Sequence, residues 1–278
     1  MRIEKSVDRL LSYCKEKGWD FELIFAHDKS TDNTRSILER LSLSNNRIKI
    51  LDFPIRLGKG GAIISAVLSL PLKEYVAYMD IDLSADPCEL ENLLECVNNY
   101  DVVIGSRILR RDIRFTKRPF HRSILSNSYS RVFRTLFRIS ILDPQCGLKL
   151  FRREKIKELF EAIEIPDFAF DTDLIVTAFA QSLRVKEVPV NWIYASASKV
   201  RILHEIQSMG MDMLSIWYRF HLQWRQNKAT YPQKKGSIYG RLLFALLSFT
   251  SIMNRRTLNH AKLKLLITNL NQNIIIDK

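Results

Sequence analysis

Residues 75–87 read Tyr75-Val76-Ala77-Tyr78-Met79-Asp80-Ile81-Asp82-Leu83-Ser84-Ala85-Asp86-Pro87. The first five form a short unbroken apolar run of the kind a buried strand shows, and they lead directly into two acids one residue apart. A helix is expected next over Glu89 to Val97, then another strand over Val102 to Gly105. The alternation also extends toward the N-terminus. A strand is expected at Phe21 to Ala26, a helix from about Thr34 to Leu43 capped from Ser30 to Asp32, and a strand at Arg47 to Phe53. A Gly-rich turn, Gly58 to Gly61, then opens an apolar helix over Ala62 to Leu70. Ahead of these, Ile3, Val7, Leu10 and Leu11 recur at helical spacing and Gly18 supplies a stop. Strands alternating with helices predict an α/β fold with a mostly parallel sheet. Ligands bind such sheets beyond the carboxyl ends of the strands, where this chain carries His27 to Asp32, Asp80 to Asp82 and Gly105 to Arg107.

At 278 residues, with 46% hydrophobic and 26% charged positions, the chain can bury a sizeable core, which argues against general disorder. Its net charge of +13 is concentrated in one place: Asp101 to Ser140 holds ten Lys/Arg against Asp101 and Asp112. Such a segment attracts phosphate-bearing partners without choosing among nucleic acid, anionic lipid and a small substrate. Aromatic residues interleave with the basic ones at Phe115, Phe120 and Phe133, but no nucleic-acid-binding motif accompanies them, so no nucleic-acid partner is expected. The four cysteines, Cys14, Cys88, Cys96 and Cys146, form no CxxC pair, which argues against a zinc site or a disulfide framework. The longest late apolar run, Leu242 to Asn254, is shorter than the roughly 20 residues of a spanning helix, so no transmembrane helix is expected.

Two acids at i and i+2 on an extended strand end point to one side and can share a divalent cation; carboxylate oxygens suit Mg²⁺ or Mn²⁺ carrying a diphosphate. An isolated Asp-x-Asp is more often a solvated strand end, and its surroundings have to decide. The turn Arg56-Leu57-Gly58-Lys59-Gly60-Gly61 could bring backbone N–H groups and one lysine to a phosphate, although it matches no established phosphate loop.

Five stretches together are more specific than either feature alone. Asp28-Lys29-Ser30-Thr31-Asp32-Asn33-Thr34, Gly58 to Ala62, Asp80 to Pro87, Val102 to Arg107 and Asp143-Pro144-Gln145-Cys146-Gly147-Leu148-Lys149-Leu150-Phe151 stand in an order and spacing that resembles family 2 glycosyltransferases. The dolichyl-phosphate glucosyl- and mannosyltransferases are the most similar branch, and Phe170 to Leu174 and Glu187 to Trp192 continue the likeness. The resemblance implies a GT-A fold over residues 1–195, with an amphipathic, membrane-surface helical region over 196–278. The implied donor is a nucleotide sugar, UDP-glucose favoured over GDP-mannose, held by Asp28, Ser30, Asp32, Lys59, Gly60, Asp80 and Ile81. Asp80 and Asp82 would hold the metal, Mg²⁺ or Mn²⁺. The implied acceptor is a polyprenyl phosphate met by Arg107, Arg118, Arg122, Ser126, Arg131 and Gln145, with Asp82, Arg107, Arg118 and Arg122 as the catalytic set. Such an enzyme sits peripherally on the cytoplasmic face of a membrane. The alternatives are a family 2 enzyme with a non-lipid acceptor, or an inactive remnant that binds membrane or nucleic acid.

Two helices carry the pattern expected at a lipid surface. On Ser123 to Ile139, Leu125, Tyr129, Val132, Phe133 and Leu136 share one arc with Arg131, Arg134 and Arg138 opposite, and His204 to Trp224 repeats the pattern with two tryptophans. Against the family pattern, this sequence starts inside the first helix rather than in a preceding strand. His27 stands where an acid is usual, Lys29 where Gly is usual, and Ser84 where some relatives have Gln. Leu263 to Leu270 or Asn273 to Ile276 are candidates to replace the missing strand.

Overall fold

The computed structural model describes residues 2–69, 71, 73–109, 120–193 and 202–226; side chains near the edges of these ranges, Arg122 among them, are not described. The expectations that fall on Arg110 to Arg118, on Leu242 to Asn254, and on Leu263 to Leu270 or Asn273 to Ile276 lie outside the described residues. In chain order the elements are α1 (Arg2–Glu16), β1 (Leu23–His27), α2 (Thr34–Ser44), β2 (Ile48–Asp52), α3 (Gly58–Ser69), β3 (Tyr75–Met79) and α4 (Glu89–Val97). They continue with β4 (Val102–Ser106), α5 (Phe120–Phe137), β5 (Leu148–Arg152), α6 (Arg153–Glu161), α7 (Phe170–Ala180), β6 (Val185–Pro189) and α8 (Ile202–Gln226).

The strands form two hydrogen-bonded sheets, β1-β2 and β3-β5-β4-β6. β1 pairs with β2 in parallel, as does β4 with β6, while β5 runs antiparallel between β3 and β4. Among the described residues no ladder joins β1 to β3, so each is the edge of its sheet. The seam between the two sheets lies between β1 and β3. Side chains and helices cross it instead. Arg9 and Tyr13 of α1 contact Asp86 and Glu91, Lys73 meets Asp20, and α3 packs against β1 on one side and α6 and α7 on the other.

Burial follows the same division. Every residue of β4 is buried, and Val103, Leu148, Leu150 and Val188 pack with Leu93 and Val97 of α4. Phe133, Phe137, Phe151, Phe160 and Phe170 are fully enclosed, each contributing about 1.5–3 kcal/mol through burial. Around β1-β2 the core is smaller: Val7, Leu11 and Ile48 with Leu23, Phe25 and Leu41 against them. Strand β1, whose apolar run is of buried-strand type, is only half covered, as is β3.

The helix α5 is amphipathic as expected, but its apolar face is turned inward. Phe133 and Phe137 are fully buried, Leu125, Tyr129 and Leu136 half-buried, and Ile124 and Val132 are the apolar side chains that face out beside Arg131, Arg134 and Arg138. In α8, Met213 and Ile216 are likewise buried. On α5, Phe133 and Phe137 thus pack against protein rather than facing lipid; of the α8 stripe, the side chains of Ile206 and Trp224 lie outside the described residues. The chain separates into two compact units, Met1–Trp217 and Tyr218–Lys278; of the second, the structure describes the end of α8. No described helix is long and apolar enough to cross a membrane.

Candidate active site

The ladder of β3 ends at Met79, and the next residues fold back on themselves. The Asp80 N–H donates to the Gly147 carbonyl (3.0 Å), and its carbonyl accepts from Leu83 N–H (3.0 Å). Leu83 takes φ +47°, and Asp82 Oδ1 accepts from Ser84 N–H at 2.9 Å. Ile81 and Asp82 therefore lie in a turn, and the strand-pleat reason for placing both acids on one side does not apply; the turn itself presents them. Asp80 is half-buried, Asp82 and Ile81 are exposed. Asp80 lies so close to Gly147 that a Cβ there would meet its carboxylate and force it to shift.

Behind Asp80 runs a chain of buried charges. Lys59 Nζ lies 3.1 Å from Asp80 Oδ1 and 3.4 Å from Asp171 Oδ2. Asp171, fully enclosed, also accepts from Lys149 Nζ at 2.5 Å and from the Tyr78 hydroxyl. Lys149, buried completely, makes its other bond to the Cys146 carbonyl at 2.7 Å. Burial alone would lower the pKa of Lys59, but the carboxylates of Asp171 and Asp80 outweigh it and hold it above the usual lysine value. Burial would raise Asp171; Lys149 and Lys59 more than offset this and keep it below the usual carboxylate value. Burial and then the Asp171 charge push Tyr78 well up, and burial lifts the Cys146 thiol to about 12, so neither ionises at neutral pH.

The expected donor residues divide by task. Asp28 gives its two oxygens to the N–H groups of Leu57 (2.5 Å) and Gly58 (2.9 Å), and Gly61 N–H donates to the Pro166 carbonyl at 2.8 Å. The start of α3, expected as a phosphate cradle, is thus occupied by the protein's own acid and carbonyl. Gly60 is buried against Phe170, where a Cβ would clash, so its glycine serves helix packing. Asp32 Oδ1 accepts from Thr34 N–H at 3.1 Å at the start of α2, whose N-cap position is Asn33. Lys29 adopts φ +47°, the left-handed conformation in which glycine is easier. Ser30 lies with Lys29, His27, Arg35, Asp52 and Phe53 around a cleft of about 600 Å³. There His27 Nδ1 bonds Asp52 Oδ1 at 2.6 Å and Arg35 holds the other oxygen at 3.0 Å.

On the other flank, Arg107 clasps Asp143 through Nε (2.7 Å) and Nη2 (2.6 Å) and lies over the Trp192 ring at 4.9 Å. Its side chain is 15% exposed, so the guanidinium expected to take an acceptor phosphate is already committed to a buried carboxylate. Gln145 Nε2 donates to Thr172 Oγ1 at 3.0 Å and to the Tyr129 hydroxyl at 3.4 Å, tying α5 to α7. Ser126 is half-buried and Arg131 exposed on α5. Arg118 and the Arg122 side chain lie outside the described residues.

One stretch, Asp143 to Lys149, reaches four of these places. Asp143 meets Arg107, Gln145 meets Thr172, Gly147 meets Asp80 and Lys149 meets Asp171, every second residue reaching a different part of the site. Of these four, sequence reading assigned a role only to Gln145. Their alternation was the available signal, together with the lone Lys149 inside an apolar strand.

Residues 2–160 match the family model described as glycosyl transferase family 2. The chain belongs to that family. AglD, a glycosyltransferase of Haloferax volcanii, is 34% identical over 201 residues, 72% of this chain but 32% of the relative, so the match spans about a third of that protein. The dolichyl-phosphate beta-glucosyltransferase of Saccharomyces cerevisiae is 28% identical over 78% of this chain and 71% of its own length. ALG5C of Trichomonas vaginalis, with the same description, is 29% identical over 83% and 72%. Among solved structures, glucosyl-3-phosphoglycerate synthase of Mycobacterium tuberculosis superimposes with a TM-score of 0.56 at 17% identity over 79% of this chain and 75% of that one. A second structure of that enzyme, containing Mn²⁺, UDP and phosphoglyceric acid, also gives 0.56, at 18% identity over 79% and 73%. The molecule is a family 2 glycosyltransferase with the GT-A fold.

Proposed function

We propose that this glycosyltransferase moves glucose from UDP-glucose onto a dolichyl or other polyprenyl phosphate, working peripherally at the cytoplasmic face of a membrane. The observation that carries this reading is the Asp80-Asp82 turn, backed by Lys59, in a chain whose relatives over about four-fifths of its length are named dolichyl-phosphate beta-glucosyltransferases. The acceptor phosphate is an anion near neutral pH, so it can attack the anomeric carbon with little help from a base, and no catalytic histidine is needed. What the protein must supply is positioning and charge.

The residues fit a divalent cation. No described cluster offers three or more His, Cys, Asp or Glu ligands, but Mg²⁺ and Mn²⁺ bound with a diphosphate need only one or two carboxylates from the protein. Asp80 and Asp82 each use one oxygen in the contacts above, and both reach solvent. Bound there, the ion would stabilise charge on the departing diphosphate. Lys59 adds a second cation beside it, Gly147 gives Asp80 room, and the Lys149-Asp171 pair fixes the ground behind it. The basic segment, with Arg118 and Arg122, draws in an acceptor that the donor would otherwise repel.

The test is transfer of labelled sugar to dolichyl phosphate from UDP-glucose and from GDP-mannose, against soluble acceptors. Glucose transfer to the lipid is expected to dominate and to fall about 100-fold or more in Asp82→Asn, the scale of losing one electrostatic stabiliser. An unchanged rate in that variant removes the metal site from this turn, and preference for a soluble acceptor removes the lipid.

A further inference from the structure

The buried charges behind the Asp80 turn are balanced as they stand: Lys59 and Lys149 against Asp80 and Asp171. A dication placed on Asp80 with Lys59 still 3.1 Å from Oδ1 sets like charges on one carboxylate. A diphosphate placed beside Asp80 without a cation sets anion against anion. The balance survives when cation and diphosphate enter together, and the repulsion between the dication and Lys59 on Asp80 is relieved when Lys59 changes partner.

We propose that Lys59 is a resident counter-cation of the metal site: it occupies Asp80 while the donor is absent and turns to the donor diphosphate when the divalent ion takes Asp80. Asp171 is the positioning residue for this exchange. Its Oδ2 lies 3.4 Å from Lys59 Nζ, so the ammonium keeps one anchor when it leaves the other. Asp171 is itself immobilised by Lys149 at 2.5 Å and by Tyr78, with Lys149 secured to the Cys146 carbonyl at 2.7 Å. The side chain of Lys59 is 26% exposed, so it can reach a ligand, whereas that of Lys149, at 0%, cannot. The consequence is an order of binding: the free protein holds the divalent ion poorly, and nucleotide diphosphate and ion reinforce each other.

This inference rests on the metal-site reading above, and Mn²⁺ binding, followed by calorimetry or by the electron paramagnetic resonance of the free ion, tests the two separately. In Lys59→Met, Mn²⁺ alone is expected to bind at least about fivefold tighter than in the wild type, at the low end of measured couplings between sites. UDP in the presence of Mn²⁺ is expected to bind more weakly. A lysine that merely supported the fold would not move the two affinities in opposite directions. Lys59→Arg should restore the wild-type order, and Lys59→Gln, which keeps a donor for Asp171 without the charge, serves if the methionine variant melts early. Mn²⁺ binding that is unchanged or weaker in both neutral variants overturns the proposal. Asp80→Asn separates the causes. If it abolishes Mn²⁺ binding while the neutral Lys59 variants show no gain, only the counter-cation role fails; if it leaves Mn²⁺–UDP binding intact, the metal site fails and this inference with it.

Discussion

Asp143 is fully buried and spends both carboxylate oxygens on Arg107. Burial alone would raise its pKa; the adjacent guanidinium outweighs that and holds it below the usual carboxylate value, as Lys149 and Lys59 do for Asp171. Because both folded-state values lie below the unfolded value of about 3.9, the stabilisation is fully present above it and is lost as pH falls through the folded-state values. Urea unfolding between pH 7 and pH 2 should therefore show stability declining below about pH 4. Asp143→Asn should cost about 3–5 kcal/mol at neutral pH, since it strands a buried guanidinium, and should flatten part of that acid slope. A loss below about 1 kcal/mol would mean that Arg107 finds another partner. The same pair explains why Arg107 was read as a phosphate ligand. Its counter-ion lies 36 positions away, and a pair closed by the fold leaves no local trace in sequence. Lys59 and Asp80 stand out in sequence for local reasons, the one in a Gly-rich turn and the other at the end of an apolar run.

At the level of elements, β3 and α4 occupy the bounds that the apolar run and the acidic helix start predict, Tyr75–Met79 and Glu89–Val97. Helix α3 begins earlier than expected, at Gly58, because Asp28 reaches across from the end of β1 to cap it. Asp28→Ala removes that cap and should cost about 1–2 kcal/mol in thermal or urea melts, with weaker UDP binding because Lys59 sits in the helix's first turn. An unaltered melt would show that water caps α3 equally well. Helix α5 carries the converse lesson. An amphipathic stripe says that one face is covered, not by what, and Phe133 and Phe137 are covered by protein.

Across the whole molecule, the α/β class and the order of elements as far as β4 were readable because the chain alternates between two periods, and each has its own backbone geometry; β5, α6, α7 and β6 were not anticipated. The antiparallel entry of β5 and the division into two sheets were not, since pairing between distant strands is not written into either strand. Hydrogen exchange should display the division. Amides of β4, buried along its length and paired on both sides, are expected to exchange slowest, and those of β1-β2, with its smaller core, markedly earlier. Equal protection in both sheets would argue that they open as one.

A plate scored along one line bends there first. His27 and Asp28 ride on one side of the seam, Asp80 and Lys149 on the other, and among the described residues no backbone rung ties the two sides. Sideways creep between them is resisted by helix packing and a few surface ion pairs, so the distance between the cleft at His27 and the acid turn at Asp80 is the dimension that warming can alter at least expense.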